Sequence, residues 1–399
     1  MMRTMRRVSL IALLVLGLSV SAGSEQSPGL TAVFQELDTQ LAADFAKDGI
    51  GGASVGVVSG DALVWTKNYG YADAEAKRMA NADTAYRIGS VTKQFTALVL
   101  LKLAEEGKVQ LTDPVEKHYP PIAKVAKFHA DAPSITLLQL ATMTSGLARE
   151  PDQMPNHSVG PLSGWQQKVR DAVPFMRYQY EPGTQYLYSN IGYATLGLAL
   201  EHAAGQSFTG YVEAQILKPL GMSRTAWEAT PAIRANLAHG YTRRQGGSGA
   251  PTGDRSAPDR ELEGRGYRVP NGALFSTVDD LAKFLIWELG GGPATVLKRE
   301  TQTANYARVY TSTSTAAALT GAYGIGFTAS RRGDQIFLGH GGSTAGYRAS
   351  VLFHRESKTG VVILRNADDG PGSSFTAGGV ATRVLERVIA AKASTTAPR

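Results

Sequence analysis

The stretch Ala85–Ala97, "AYRIGSVTKQFTA", runs straight into an apolar segment, Leu98–Leu103. That run, closed by Glu105-Glu106-Gly107, predicts a helix that starts near Ser90 and ends where glycine can take a left-handed cap. Lys93 follows Ser90 by three residues, so the two side chains share one face at the helix start. A lysine at the mouth of an apolar helix is desolvated, which disfavours its charged form. A neutral amine can take a proton from a neighbouring hydroxyl, and the free N–H groups of a helix start favour a developing oxyanion. The plainer reading is an N-cap serine followed by a snorkelling lysine. Ser-x-x-Lys alone does not choose between them.

Two later stretches bear on the choice. "EPGTQYLYSNIGYATLG" (Glu181–Gly197) sets Tyr188-Ser189-Asn190 between a Pro-Gly turn and a second apolar helix. A phenol and a carboxamide two residues apart on an extended loop can point into one cleft, the first to relay a proton and the second to hold a substrate carbonyl. The alternative is a packed tyrosine and a helix-capping asparagine, with Tyr186 the competing phenol. "FLGHGGSTAGYRASV" (Phe337–Val351) carries Gly339, Gly341 and Gly342, which let backbone approach a ligand on what reads as an edge strand. There the N–H of Ser343 joins that of Ser90 as an expected oxyanion hole, and His340 is expected to face the polar end of the substrate. A glycine-rich strand end is also, more simply, a turn.

Around these stretches the chain reads as strands at both ends and helices between. Val33–Lys47 has helical spacing, Ala53–Ser59 and Leu63–Tyr71 form a hairpin across Gly60-Asp61, and strand patterns return at 324–330, 335–338, 347–353 and 361–364. A closing helix is expected around Ala377–Ala391. The predicted fold is α/β (α+β): an antiparallel sheet built from the N- and C-terminal segments and flanked by helices, with an inserted all-helical subdomain. The sheet part spans about 30–110 and 321–392, the helical part about 111–320, and residues 393–399 are expected to be a disordered tail. Two long polar segments, 149–164 and 245–266, read as lids or mobile insertions. A site is expected where sheet and helical part meet.

Composition narrows the function. The 399 residues include no cysteine, so disulfides and thiolate chemistry are out, and the seven histidines show no metal-ligand spacing. No cofactor is expected. Arg3, Arg6 and Arg7, the apolar run Val8–Val20 and Val20-Ser21-Ala22 read as a secretory signal over residues 1–22, an uncleaved N-terminal anchor being the alternative, with no cysteine for a lipid anchor. The mature chain is therefore expected in the periplasm or outside the cell, with no membrane span. Loss of the three arginines lowers the formal charge from +7 to +4, and the basic residues form no block, so nucleic acid is not an expected partner.

Ser90-Val-Thr-Lys93, Tyr188-Ser-Asn190 and His340-Gly-Gly342, in this order, resemble the three site motifs of the serine β-lactamase and penicillin-binding protein superfamily, nearest to the branch of class C β-lactamases, DD-peptidases and related esterases. "ITLLQLATMTSGL" (Ile135–Leu147), "ILKPLGMSRT" (Ile216–Thr225), "NGALFSTVDDLAKFL" (Asn271–Leu285) and "YGIGF" (Tyr323–Phe327) carry the resemblance across about residues 30–389. It implies Ser90 as the acylated nucleophile, Lys93 and Tyr188 as coupled base and proton relay, Asn190 as holder of the substrate amide or ester, and His340 in the place of the lysine of Lys-Thr-Gly. Three features depart from the pattern or imitate it. His340-Gly341 replaces the lysine and threonine that hold a β-lactam carboxylate, which makes anion binding there pH-dependent if His340 carries it. Met143 stands where relatives commonly have histidine. A literal Lys358-Thr359-Gly360 reads instead as a hairpin turn.

The function these residues imply is an exported serine hydrolase acting through an acyl-enzyme on an amide or ester of a small molecule or peptide: a D-amino-acid peptide, a β-lactam or a small ester. A catalytically silent binding module of the same fold is the alternative from another class. An α/β-hydrolase reading is set aside for want of a Gly-x-Ser-x-Gly elbow.

Overall fold

The computed structural model describes residues 28–48, 50–242, 255–308, 311–312, 321–370 and 372–396. The expected signal (1–22) and residues 397–399 of the expected tail lie outside them, as does most of the first half of segment 245–266. Strands β1 (Gly52–Ser59), β2 (Ala62–Asp73) and β3 (Arg78–Met79) come from the N-terminal part. A two-residue ladder, β4 (Tyr86–Arg87) with β5 (Phe275–Ser276), ties the segment before Ser90 to the middle of the chain. The remaining strands are β6 (Thr311–Ser312), β7 (Gly321–Tyr323), β8 (Thr328–Arg332), β9 (Gln335–Thr344), β10 (Tyr347–His354) and β11 (Thr359–Arg365). The large sheet runs β3-β2-β1-β11-β10-β9-β8-β7-β6, antiparallel throughout. The two ends of the chain meet where β1 pairs with β11, from Ala53 opposite Arg365 to Ser59 opposite Thr359. This antiparallel sheet with flanking helices is the architecture that the sequence predicts.

Both faces of the central strands are dry, and the strand period of two divides their side chains between two cores. Val55, Val57, Val361 and Ile363 pack under helix α1 (Pro28–Asp48) and the closing helix Ala377–Thr396. Val58, Val362 and Leu364 face the opposite core, shared with helix α2 (Thr92–Glu105), the helix Asn190–Ala204 and the helix Val278–Glu288. The latter two helices open on cap residues the sequence supplies, Ser189 accepting from the Gly192 N–H and Thr277 from the Asp280 N–H.

Three local readings change. The 337–351 motif is not on an edge strand: β9 lies between β10 and β8. Its pairing with β8 nevertheless stops at Gly339, opposite Thr328, so residues 340–344 have no strand partner on that edge among the described residues. The closing helix continues to Thr396, through the start of the expected tail; Lys392 anchors this end by donating to Ser59 Oγ, the Ser357 carbonyl and Thr359 Oγ1. A Gly-x-Ser-x-Gly string is present after all, Gly52-Ala53-Ser54-Val55-Gly56, but it lies inside β1. Ser54 is buried there with its hydroxyl on Asn68 and Tyr86, so it forms no strand-to-helix elbow. Lys358 does sit in a turn, at φ +49, and Thr359 opens β11.

Candidate active site

Ser90 occupies a single 3-10 turn, Gly89–Val91, that leads into α2, so it is a pre-helical residue and not an N-cap. The turn lies flat on β9 because two glycines allow it. A methyl group at Gly89, whose φ is +51, would stand 2.7 Å from the backbone nitrogen of Ser343, and one at Gly342 would stand 1.9 Å from the Ile88 carbonyl oxygen. This close approach brings the Ser343 N–H beside the turn that carries Ser90, on the stretch of β9 whose edge β8 leaves open. Gly342→Ala is accordingly expected to push β9 off the turn, costing about 1–3 kcal/mol as overpacking does and slowing acylation together with it. A thermal melt and an ester assay check this; wild-type values in both would mean that the contact has no such role.

Lys93 is fully buried one turn further on. Its Nζ lies 3.1 Å from Ser90 Oγ, 2.9 Å from Asn190 Oδ1 and 3.1 Å from the Asn271 carbonyl oxygen. Burial holds its pKa well below the usual lysine value, and the positive charges of Arg149, Arg268 and Arg265 lower it further, against a smaller opposing pull from Glu150. A neutral amine has two hydrogens and one lone pair. Asn190 Oδ1 and the Asn271 carbonyl can only accept, so they take both hydrogens and leave the lone pair facing the Ser90 hydroxyl. The Asn271 side chain completes the clamp by donating to the Asn190 carbonyl at 2.8 Å.

Tyr188 rather than Tyr186 reaches the serine: its hydroxyl donates to Ser90 Oγ at 2.8 Å, while the Tyr186 ring lies against Tyr323. Burial raises the Tyr188 pKa, so the phenol is protonated and suited to passing a proton on. Met143 positions this loop from below, its carbonyl accepting the Leu187 N–H at 2.8 Å and its sulfur lying 3.2 Å from the Ser189 nitrogen. Asn190 is the first residue of its helix and donates one Nδ2 hydrogen to Glu150 Oε1 at 2.8 Å. Its other hydrogen is available to a substrate carbonyl.

His340 is brought to the same place, its ring centroid 6.3 Å from that of Tyr188. Nδ1 lies 2.6 Å from the Gly341 carbonyl oxygen and must donate to it. Nε2 is then the acceptor, and it takes the Tyr323 hydroxyl at 3.1 Å. Burial, with the neighbouring Lys93 charge second, lowers the His340 pKa to about 3. The imidazole is therefore neutral at physiological pH with both nitrogens hydrogen-bonded inside the protein, which disfavours an anion contact through it. Gly341 offers no side chain, although one would meet nothing closer than 3.9 Å.

The opposite wall was not legible as a site. Segments 149–164 and 264–268 pack on each other through the Tyr267 N–H to His157 carbonyl (3.0 Å) and Gly266 N–H to Gly160 carbonyl (3.2 Å) bonds. They close a polar cavity of about 290 Å³ over Ser90 and Ser343, into which Arg149, Glu150, Arg265 and Arg268 project. The available signal was a pair of arginines three apart at the end of a glycine-rich stretch, which does not reveal what they face.

The beta-lactamase family profile matches residues 31–385. Protein flp of Staphylococcus aureus (strain NCTC 8325 / PS 47) is 30% identical over 332 residues, covering 83% of this chain and 63% of that protein. Human putative beta-lactamase-like 1 is 31% identical over 281 residues, covering 68% and 52%. The chain thus spans only about half to two thirds of the length of these curated relatives. Among solved structures, the octameric penicillin-binding protein homologue from Pyrococcus abyssi superposes with a TM-score of 0.72 at 25% identity, covering 90% of this chain and 77% of that one. The D-amino acid amidase from Ochrobactrum anthropi SV3 superposes with a TM-score of 0.71 at 24% identity, covering 92% and 100%, a likeness of fold.

Proposed function

This chain belongs to the beta-lactamase family, and from that premise we propose that it is a serine hydrolase acting through an acyl-enzyme on Ser90, outside the cytoplasm, on an amide or ester such as a D-amino-acid peptide, a β-lactam or a small ester. The observation that carries the proposal is the orientation of Lys93: two acceptor-only partners take its hydrogens and leave its lone pair on Ser90 Oγ.

The Ser90 proton passes to Lys93 as Oγ attacks the carbonyl carbon. The resulting oxyanion sits against the Ser90 and Ser343 N–H groups. As the tetrahedral intermediate collapses, the bond to the leaving group breaks and the proton returns from Lys93 through Tyr188 to that group. Water then repeats the sequence against the acyl-serine, giving its proton to the same pair and releasing the acid. Asn190 holds the acyl portion through its free Nδ2 hydrogen.

The test sets nitrocefin, a short-chain nitrophenyl ester and a D-Ala-D-Ala peptide side by side, with mass spectrometry of the intact protein after each. At least one substrate is expected to turn over and to leave a transient adduct on Ser90. An adduct elsewhere, or a stable adduct with no turnover from all three, overturns the proposal, the second outcome in favour of a silent binding module. Export is supported by the arginine-flanked apolar run before Val20-Ser21-Ala22. Recovery from the cytoplasm with Met1 retained would count against it.

A further inference from the structure

The two walls of the cavity differ in charge. On the β9 side His340 is neutral with both nitrogens engaged, and Gly341 has no side chain. On the other side stand three guanidinium groups and one carboxylate. Arg268 is matched by Glu150 at 2.7 Å, and buried Arg265 by Glu261 from outside the cavity. Arg149 has no carboxylate partner among the described residues; its guanidinium lies 4.8 Å from the Tyr188 ring centroid. Arg265 is only 4% exposed, and its Nε has no acceptor. A buried N–H without an acceptor is costly, and guanidinium groups present donors in the planar fork that matches a carboxylate.

We propose that the substrate carries an anionic group, a carboxylate in the simplest case, received by Arg149 and Arg265 on the helical wall of the cavity and not by strand β9. This rests on the acyl-enzyme reading for its reaction and adds the substrate's charge. Lys93, neutral and turned to Ser90, does not compete for the anion. Arg268 keeps Glu150 occupied, so that carboxylate does not repel it. Specificity has moved across the cleft: the strand lacks a cation, and the cation surplus stands opposite.

The experiment compares kcat/KM for two pairs of chromogenic esters. Mono-4-nitrophenyl glutarate against 4-nitrophenyl valerate puts the charge on the acyl part; 3-carboxy-4-nitrophenyl acetate against 4-nitrophenyl acetate puts it on the leaving group. In at least one pair the anionic ester is expected to be preferred by roughly tenfold or more, the size of one hydrogen bond to a charged group. The preference should arise in KM and shrink with added salt. Arg149 is exposed and has no ion pair among the described residues, so Arg149→Gln and Arg149→Glu suit the test: the first should lower that ratio and the second abolish or invert it. Ratios within twofold for both pairs, or a preference that survives Arg149→Glu, overturn the inference. If no ester is cleaved, the acyl-enzyme reading is decided by nitrocefin and the D-Ala-D-Ala peptide, and the anion site is read by calorimetric titration of glutarate into the same protein. Binding that Arg149→Glu weakens supports the site, and no binding overturns it.

Discussion

Ser90→Ala protein should fold and melt as the wild type does, yet lose ester hydrolysis by roughly 10⁴-fold or more and take no covalent label from a fluorescent penicillin. The side chain sits in a one-turn connection, part-exposed to the cavity, and its hydroxyl supports no element of the fold. What the substitution removes is the atom on which two groups converge, the Lys93 lone pair and the Tyr188 hydroxyl. The protein is left able to bind substrate and to polarise its carbonyl but without an attacking group. Residual turnover within tenfold of wild type would place the nucleophile elsewhere.

Lys93→Met tests the base. Methionine is unbranched and of similar length, so it fills the buried channel without charge. Acylation is expected to fall by about 10²–10⁴-fold, the usual contribution of a positioned general base. The pH dependence carries a sign of its own. In the wild type kcat/KM should rise with pH through the depressed pKa of Lys93, since only the neutral amine accepts the proton; in the variant that acid limb disappears. Stability follows the same titration. The unfolded lysine binds its proton up to its ordinary pKa of 10.5, whereas the folded one has released it well below that value. Between the two, the unfolded state holds more protons, so wild-type stability increases as pH rises through the window and is lost as pH falls. The variant has no such slope, and the stability difference should change by about 1.4 kcal/mol per pH unit inside the window. The unpaired Asn190 Oδ1 and Asn271 carbonyl offset part of the variant's gain at every pH alike, which leaves the slope as the readout. A difference independent of pH, with acylation intact, would remove Lys93 from the mechanism.

Much of the fold was readable because it rests on local chemistry. Period-two runs at both ends of the chain, helical spacing between them and glycine after Glu106 each act within a few residues. The edge-strand reading of β9 missed because a strand's neighbours are set by pairing with segments far away; the glycines told of close approach but not of β8 stopping at Gly339. The Gly-x-Ser-x-Gly string in β1 shows the converse: a pattern of residue types without its strand-to-helix bend holds a packed serine.

The sequence by itself determined which residue types stand at Ser90, Lys93, Tyr188 and Asn190, and that a dry helix follows the lysine. Taken together those residue types point to acyl-serine chemistry, and the apolar run accounts for the desolvation of the amine. Only the tertiary structure decided the direction of the Lys93 lone pair, the neutrality of His340 and the charge of the facing wall. Each depends on partners tens to hundreds of residues away, such as Asn271, Tyr323 and Arg265. Hydrogen bonding and Coulomb forces act over a few ångströms of space, however far apart the groups lie along the chain.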